Sequence, residues 1–230
     1  METHKLISIL IIGLLFASCT NTNTQINVPE KRISQIYVQS SNGFECKYTL
    51  EYDEKGRISK MESDNKGNIE TILCEYNKKS FRIGEIFGKQ NKQGYIHSSE
   101  VLEYAEAFAG KMEYDKNGRL VSIDNPYAGE ISFKWIDDDM VLMSMGTMRT
   151  DVVYTSLENK NNLGLLMTLG HTSLFPYYLL LGKPTKHLPE SMAEGLITFQ
   201  YKMDADGYVE EILESQPHDN SMMHYRFSYE

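Results

Sequence analysis

The chain has 230 residues, a formal net charge of −9, 41% apolar residues and three cysteines. An acidic chain without a cluster of Lys and Arg lacks the basic face that phosphate binding needs, so we expect no nucleic-acid partner. Its length suffices for a sizeable hydrophobic core in one or two domains.

The first residues, METHKLISILIIGLLFASC, have the order of a secretory signal. Their apolar core, Leu6 to Phe16, is shorter than the roughly 20 residues that span a bilayer as a helix. Ala17-Ser18-Cys19 resembles a bacterial lipobox, in which the cysteine is freed by cleavage and lipidated. Phe16 departs from that motif and leaves a plain cleavable signal as the alternative. We predict a lipoprotein signal peptide at 1–18 and lipidation at Cys19.

Residues 19–30 are rich in Asn and Thr and read as a flexible tether. Through it the protein would be attached to the outer membrane of a cell envelope. No acidic cluster of the kind associated with surface export follows Cys19, which slightly favours the periplasmic side over the cell surface.

From Lys31 onward the dominant signal is strict alternation of apolar and polar residues, which predicts strands with one buried and one wetted face. The clearest examples are ECKYTLEYD at 45–53, EISFKW at 130–135, LITFQYKM at 196–203 and MMHYRFSYE at 222–230. Cys46 and Cys74 both fall at buried positions of such strands. Because another predicted strand lies between theirs, they are too far apart for a disulfide, and we predict two free core thiols.

Acidic turns ending in glycine separate these strands. EYDEKGR at 51–57 and EYDKNGR at 113–119 nearly repeat each other, and QYKMDADGYVEEI at 200–212 is a looser third copy. FKWIDDDMVL at 133–142 is a candidate fourth copy without its glycine. Asp or Asn opens each turn and glycine supplies the positive φ that closes a short hairpin loop. The motif resembles the YD repeat, in which Tyr-Asp and Gly-Arg flank a hairpin turn.

Residues 158–190 interrupt the alternation, although their apolar content is high. We predict two short helices in this insert, the first capped by Asn161 or Asn162 and the second capped by Ser173 and stopped by Gly182. These apolar helices would plug or cover an open face of the sheet.

Together these patterns predict a mainly β fold in a single domain, residues 31–230. We expect a large curved antiparallel meander sheet or partly open barrel, built of hairpin repeats, with the short helical insert at about 158–190. The pattern does not decide whether the segment 98–108 is a short helix or a strand.

Five features occur in a family-like order: the lipobox, the YD-like hairpins, NNLGLL at 161–166, LLLGK at 179–183, and HLPE at 187–190 before a final β region. In this order the chain resembles the Bacteroides-type lipoproteins of unknown function that are described as having a porin-like fold. The resemblance covers nearly all of the mature chain. It implies a strongly curved antiparallel sheet or partly open barrel, and it implies no activity.

Few residues suggest binding chemistry. Arg57 and Arg119 occupy matching positions in the repeats and could form a basic patch for an acidic ligand, or simply pair with acids of neighbouring strands. Trp135 could stack on a sugar, although most aromatic residues here fall at buried positions. His171, at the end of the first predicted helix, is the remaining candidate ligand-binding residue.

Metal and catalytic motifs are missing from the sequence. Asp204-Ala-Asp206-Gly207 resembles part of a calcium loop, but Lys202 and Leu213 stand where that loop needs ligands. The six histidines lack zinc spacing, and neither a nucleophile elbow nor a phosphate-binding glycine loop occurs. We therefore expect no metal, no cofactor and no catalytic residue, and an enzyme is the less favoured reading.

The sequence favours a lipid-anchored envelope protein that binds or assembles with a glycan, a peptide or another envelope protein. Two alternatives stay open. Paired carboxylates brought together by the sheet would make a glycan-acting hydrolase, and a half-barrel interior could carry a hydrophobic ligand.

Overall fold

The computed structural model describes residues 29–99, 109–169, 172–218 and 220–230. The predicted signal peptide, Cys19, nearly all of the tether, His171 and most of the segment 98–108 lie outside these residues.

The described residues form sixteen β-strands, and each strand pairs antiparallel with its neighbours in the chain. The strands are β1 (Ile33–Ser40), β2 (Glu45–Tyr52), β3 (Ile58–Asn65), β4 (Asn68–Tyr76), β5 (Ser80–Ile83), β6 (Ile86–Gln90), β7 (Ile96–Ser99), β8 (Gly110–Tyr114), β9 (Leu120–Asn125), β10 (Gly129–Ile136), β11 (Asp139–Met145), β12 (Met148–Glu158), β13 (His187–Met192), β14 (Ile197–Met203), β15 (Val209–Gln216) and β16 (Ser221–Tyr229). The predicted antiparallel meander is thereby confirmed.

The sheet closes on itself, because β16 pairs with β1. Val38 stands opposite Tyr225 and Ile36 opposite Phe227, so the alternation of the two strands is in phase. The expectation of an open sheet or partly open barrel is corrected to a closed barrel. Closure pairs the two strands that would otherwise expose edges, which a meander of this length could not cover with one short insert.

The strands turn their apolar side chains inward and their charges outward. Ile36, Leu50 and Ile123 are at most 3% exposed. The outer face carries cross-strand ion pairs, such as Lys60 with Glu51 at 3.0 Å. This is the alternation read from the sequence, and it makes the barrel interior the hydrophobic core.

The insert between β12 and β13 is less helical than predicted. It contains one six-residue helix, α1 (Gly164–Leu169), and one six-residue 3-10 helix at Thr172–Tyr177. Its side chains join the same core as the strands: the Phe175 ring lies 6.1 Å from that of Tyr48 and the Tyr177 ring 6.5 Å from that of Phe81. The insert therefore packs against the inner wall of a closed barrel and does not cover an open sheet face.

Alternate turns of an antiparallel meander lie at opposite ends of its barrel. One end, here called the insert end, carries the insert and the turns at 53–57, 77–79, 91–95, 115–119, 137–138 and 204–208. The residues before β1, at Lys31, and after β16, at Glu230, lie at the same end. The opposite end, here called the far end, carries the turns at 41–44, 66–67, 84–85, 126–128, 146–147, 193–196 and 217–220.

Cys46 and Cys74 are buried and free, as predicted. They lie on β2 and β4, with β3 between them. Burial raises the pKa of the Cys74 thiol to about 12 and also raises that of Cys46. Both thiols therefore act as small core side chains, without the thiolate character that reactivity needs.

Candidate functional site

The acidic turns of the insert end share one hydrogen-bonded design. In the turn at 53–57, Asp53 Oδ1 accepts hydrogen bonds from the backbone N–H groups of Lys55 and Arg57, both at 2.9 Å. The Gly56 N–H donates to the carbonyl of Asp53, with φ of 74° at Gly56. The turns opened by Asp115 and Asp204 repeat these bonds. Because the carboxylate organises its own loop, the recurring Asp is structural here.

A further copy of this turn at 91–95 was missed from the sequence. Asn91 Oδ1 accepts from the backbone N–H groups of Gln93 and Tyr95, and the Gly94 N–H donates to the carbonyl of Asn91. The pattern Asn-x-x-Gly followed by Tyr and an aliphatic residue was available as a signal, but it lacks the Tyr-Asp and Arg of the copies at 51–57 and 113–119.

The two predicted ligand-binding arginines are engaged within their own turns. Arg57 donates to Asp53 Oδ2 from Nε at 2.8 Å, and its guanidinium lies 4.2 Å from the centre of the Tyr76 ring. Burial opposes ionisation of Asp53, but the bonds from Arg57 outweigh it and lower the pKa of that carboxyl.

Arg119 repeats the arrangement with other partners. It donates to Asp115 at 2.7 Å from Nε and to Asp138 at 3.4 Å, and it lies 5.8 Å from the centre of the Trp135 ring. The two arginines belong to turns six strands apart, and each stacks on an aromatic ring of the following even-numbered strand. Their contacts build the barrel end, and ligand binding by them stays a prediction.

A ring of aromatic side chains surrounds the insert end. Each member lies on an even-numbered strand and donates a hydrogen bond to a backbone carbonyl near the start of the preceding strand. Among the described residues the members are Tyr52, Tyr76, Tyr114, Trp135, Tyr154, Tyr201 and Tyr229, donating to Ile33, Ile58, Ile96, Leu120, Met140, Pro189 and Val209 in that order.

This set of aromatic side chains accounts for the position of Trp135, the predicted sugar-stacking residue. Its Nε1 donates to the Leu120 carbonyl at 2.7 Å and the indole is half-buried. Trp135 thus occupies the place that tyrosine fills on every other even-numbered strand except β6. His171, the other predicted ligand-binding residue, lies outside the described residues.

The end of the insert is fixed by a pair that the sequence analysis missed. Asp139 is buried, accepts from the backbone N–H of His187 at 2.9 Å and lies 2.7 Å from its Nδ1. Asn161, one of the two residues predicted as alternative caps of the first helix, accepts from the N–H of Val209 and contacts the Tyr229 hydroxyl. The Asp139–His187 and Asn161–Val209 bonds each join residues 48 positions apart, so the local sequence pattern carried no signal for them.

The far end differs in chemistry, because exposed apolar side chains surround it. The far rim, as we call this set, comprises Phe44, Ile69, Tyr127, Met148, Leu196 and Met222, each between 38% and 63% exposed. Inside this rim the inward-facing Met143, Met145, Ile197 and Met223 are half-buried. Six of the ten large apolar side chains that are exposed among the described residues thus belong to the far rim, and exposed apolar surface is associated with interaction sites.

Metal-binding clusters and membrane-spanning helices are both absent from the described residues. This part of the chain contains no group of three or more His, Cys, Asp or Glu side chains placed to hold a metal ion. Within the same residues, no helix is long and apolar enough to cross a membrane.

Comparisons with known proteins bear on the fold alone. No protein-family model matches the chain, and no curated protein matches it. A porin-like protein from Bacteroides uniformis aligns with a TM-score of 0.63 and 15% identity, covering 86% of this chain and 98% of its own. A porin-like protein from Bacteroides vulgatus aligns with a TM-score of 0.54 and 15% identity, covering 87% of this chain and 99% of its own.

These comparisons confirm the porin-like part of the sequence resemblance. They give no support to the link with YD repeats or to the lipoprotein character. In fold, the chain is similar to porin-like proteins of Bacteroides.

Proposed function

We propose that the protein is a non-enzymatic, lipid-anchored module of the cell envelope that binds a partner through its far end. The observation that carries this proposal is the difference in composition between the two ends of the barrel. The insert and both described chain ends lie at one end, and the exposed apolar far rim lies at the other. A tether that leaves from Lys31 would hold the insert end nearest the membrane and point the far rim away from it.

The start of β1 is held firmly enough to orient a tether. Lys31 Nζ lies 2.9 Å from Asp204 and 2.5 Å from Asp206. Next to it, the backbone of Arg32 exchanges two hydrogen bonds with Glu230 at 3.2 and 2.9 Å. Residues 19–30, when extended at about 3.3 Å each, would let the barrel stand roughly 40 Å from the bilayer.

The outer wall supports a barrel that stands in water. A barrel that crosses a membrane turns an apolar band toward lipid. The outer wall of this protein carries ion pairs on several strands, among them Lys111 with Glu113 at 2.6 Å and Lys202 with Glu211 at 2.9 Å. Such a wall favours attachment by acyl chains over insertion, and envelope residence agrees with the porin-like fold neighbours.

The two alternative functions receive less support. An interior filled by the insert's own aromatic and aliphatic side chains leaves less space for a carried hydrophobe. A hydrolase needs two acids facing a cleft. The buried Asp139 instead contacts the His187 ring. Glu214 has a strand position that faces the interior, and it accepts a hydrogen bond from the Tyr225 hydroxyl at 2.9 Å.

The anchor is tested by metabolic labelling with a clickable fatty acid. We expect the wild-type chain to take up label and Cys19→Ala to take up none. Equal labelling of the two chains would contradict the lipid anchor, while leaving the far-rim interaction open to its own test.

The far-rim interaction is tested by native electrophoresis of detergent-solubilised envelopes. A variant with Phe44→Ser, Tyr127→Ser and Leu196→Ser should migrate as the free chain, whereas wild type migrates in a larger complex. The matched control carries Leu73→Ser, Ile136→Ser and Val153→Ser, which remove exposed apolar side chains from strand positions outside the far rim. Equal migration of both variants with wild type would contradict binding through the far rim.

A further inference from the structure

We propose that Met143, Met145 and Met148 form a binding site for a soft monovalent metal ion, Cu(I) or Ag(I), at the far end of the barrel. The proposal rests on the β11–β12 hairpin alone and does not depend on the lipid anchor or on a protein partner.

The hairpin places the three thioethers on one face. Met143 and Met145 are two residues apart on β11 and stand opposite Phe133 and Ile131, which are buried inward-facing residues. Met148, the first residue of β12, pairs with Met145 across the two-residue turn at 146–147. Alternation puts side chains two apart at about 7 Å, and a direct cross-strand pair has Cβ atoms about 5 Å apart.

These distances suit thioether ligands. A methionine side chain has three rotatable bonds and a polarisable sulfur, so it can adjust its position by several ångströms. Three such chains around the end of a tight hairpin can therefore bring their sulfur atoms to one ion without moving the backbone.

Exposure separates these three residues from the methionines that fill the core. Met61, Met112 and Met140 are at most 3% exposed. Met143 and Met145 are half-buried, and Met148 is 63% exposed although its strand position faces inward. Met203 and Met223 are half-buried as well, so this hairpin is distinguished by the exposed Met148 beside Met145, which leaves the three thioethers reachable from solvent.

The donor set decides which ion would bind. The inward face of the hairpin offers three thioethers and the hydroxyl of Thr150, which pairs with Met143. Asp151 pairs with Leu142 and so belongs to the outward-facing set. Hard cations need oxygen ligands and zinc needs nitrogen, thiolate or carboxylate, whereas thioethers select Cu(I) and its soft analogue Ag(I).

The proposal is tested on the full chain carrying Cys19→Ala, kept in detergent, so that the N-terminal thiol cannot bind metal. Silver nitrate is titrated in chloride-free buffer, and binding is followed by calorimetry and by NMR of methyl-labelled methionine. We expect one equivalent to bind, with shifts confined to the methyl signals of Met143, Met145 and Met148. Zinc should produce no such shifts.

Substitution by leucine keeps volume and apolar character, so the variants should fold. Each of Met143→Leu, Met145→Leu and Met148→Leu should weaken Ag(I) binding at least about tenfold, and the triple variant should abolish it. Met222→Leu, which removes an exposed methionine of the outer face, should leave binding unchanged, as should Cys46→Ala with Cys74→Ala.

Two outcomes would overturn the proposal. In one, a folded triple leucine variant still binds one equivalent of Ag(I), which would place the ion elsewhere. In the other, binding is lost with the two buried cysteines, which would assign it to the thiols. Competition with a Cu(I) chelator under anaerobic, reducing conditions should reproduce the Ag(I) ranking of the variants.

Discussion

At the scale of single residues, the tyrosine hydroxyls have the most consistent role in this molecule. Burial raises the pKa of Tyr114 and Tyr201 well above the ordinary tyrosine value, so both stay neutral donors. Each hydroxyl ties an even-numbered strand to a carbonyl of the preceding strand, with an O···O distance of 2.8 Å for Tyr114. The bonds fall beyond the regular ladder, at the end where the strands meet their turns.

We predict that Tyr114→Phe lowers the free energy of unfolding by about 1–2 kcal/mol, because the Ile96 carbonyl loses its hydroxyl donor. Urea denaturation followed by circular dichroism would measure the change. The matched control is Tyr127→Phe at the exposed far rim, which should change stability by less than about 0.5 kcal/mol. Equal effects at the two positions would refute a role in stability for the hydrogen-bonded aromatic side chains of the insert end.

At the scale of elements, the start of α1 is fitted tightly against the end of the insert. A Cβ atom on Gly164 would overlap Thr185 Oγ1 and stand 2.9 Å from Asn159 Nδ2. Thr185 is buried and donates to the His187 carbonyl at 2.9 Å, so it cannot move without losing that bond.

Gly164→Ala therefore sets two effects against each other. Helix propensity alone favours alanine by about 1 kcal/mol, whereas overpacking of a buried contact costs about 1–3 kcal/mol. We expect net destabilisation, measured as a lower urea midpoint.

Removing the obstructing hydroxyl provides the control for this prediction. Thr185→Ala alone should be destabilising, and Gly164→Ala combined with Thr185→Ala should cost less than the sum of the two. If the two substitutions have strictly additive effects on stability, the contact between residues 164 and 185 does not determine how α1 packs.

The elements themselves were largely predictable from the sequence, because their determinants are local. Alternation correctly assigned Cys46 and Leu50 to the core, and the Asp-to-Gly spacing located the turns at 53–57, 115–119 and 204–208. The turn at Asp137 and Asp138, where both φ angles are positive, was indicated only by its likeness to these copies, because it has no glycine. The second predicted short helix is a six-residue 3-10 helix that contains Pro176, whose ring nitrogen cannot donate a backbone hydrogen bond.

What could not be predicted depends on contacts between distant parts of the chain. The pairing of β1 with β16 joins the two ends of the domain, and period-two alternation is the same in an open sheet as in a barrel. The pairing of Asp139 with His187 and the far rim likewise exist only once the topology is known. A single sequence therefore supplied the strands and turns, but not the ends that carry the proposed functions.

At the scale of the whole molecule, the buried tyrosines link barrel stability to alkaline pH. Burial raises the pKa of Tyr178 to about 12, and it raises the pKa of Tyr52, with which Tyr178 shares a hydroxyl contact at 3.5 Å. In the unfolded chain a tyrosine loses its proton near pH 10. Above that pH the unfolded state binds fewer protons than the folded state, so stability falls as pH rises.

We therefore expect the free energy of unfolding to decline between roughly pH 10 and 12, without a comparable tyrosine contribution below pH 9. Tyrosinate absorbance and the β circular dichroism signal should be followed in one alkaline titration. For the buried tyrosines, the rise in absorbance should coincide with loss of structure. Full ionisation of all tyrosines while the β signal persists would show that the tyrosines at the insert end are accessible to solvent in the folded barrel.

The closed topology also predicts where the chain can be cut. Arg32 and Glu230 are joined by backbone bonds and by an ion pair at 3.0 Å, so a short glycine and serine linker can connect the ends. New ends placed between Glu194 and Gly195 open an exposed turn of the far end, and the N–H groups of Ala193 and Glu194 that donate to Asp151 stay on one side of the cut. This circular permutant should fold with its melting temperature within about 5 °C of the uncut chain.

A permutant opened between Leu179 and Leu180 should instead melt at least about 15 °C lower, because the cut divides a segment that is at most 5% exposed and packs in the core. Similar melting temperatures for the two permutants would mean that the insert is an accessory to a barrel that is stable without it.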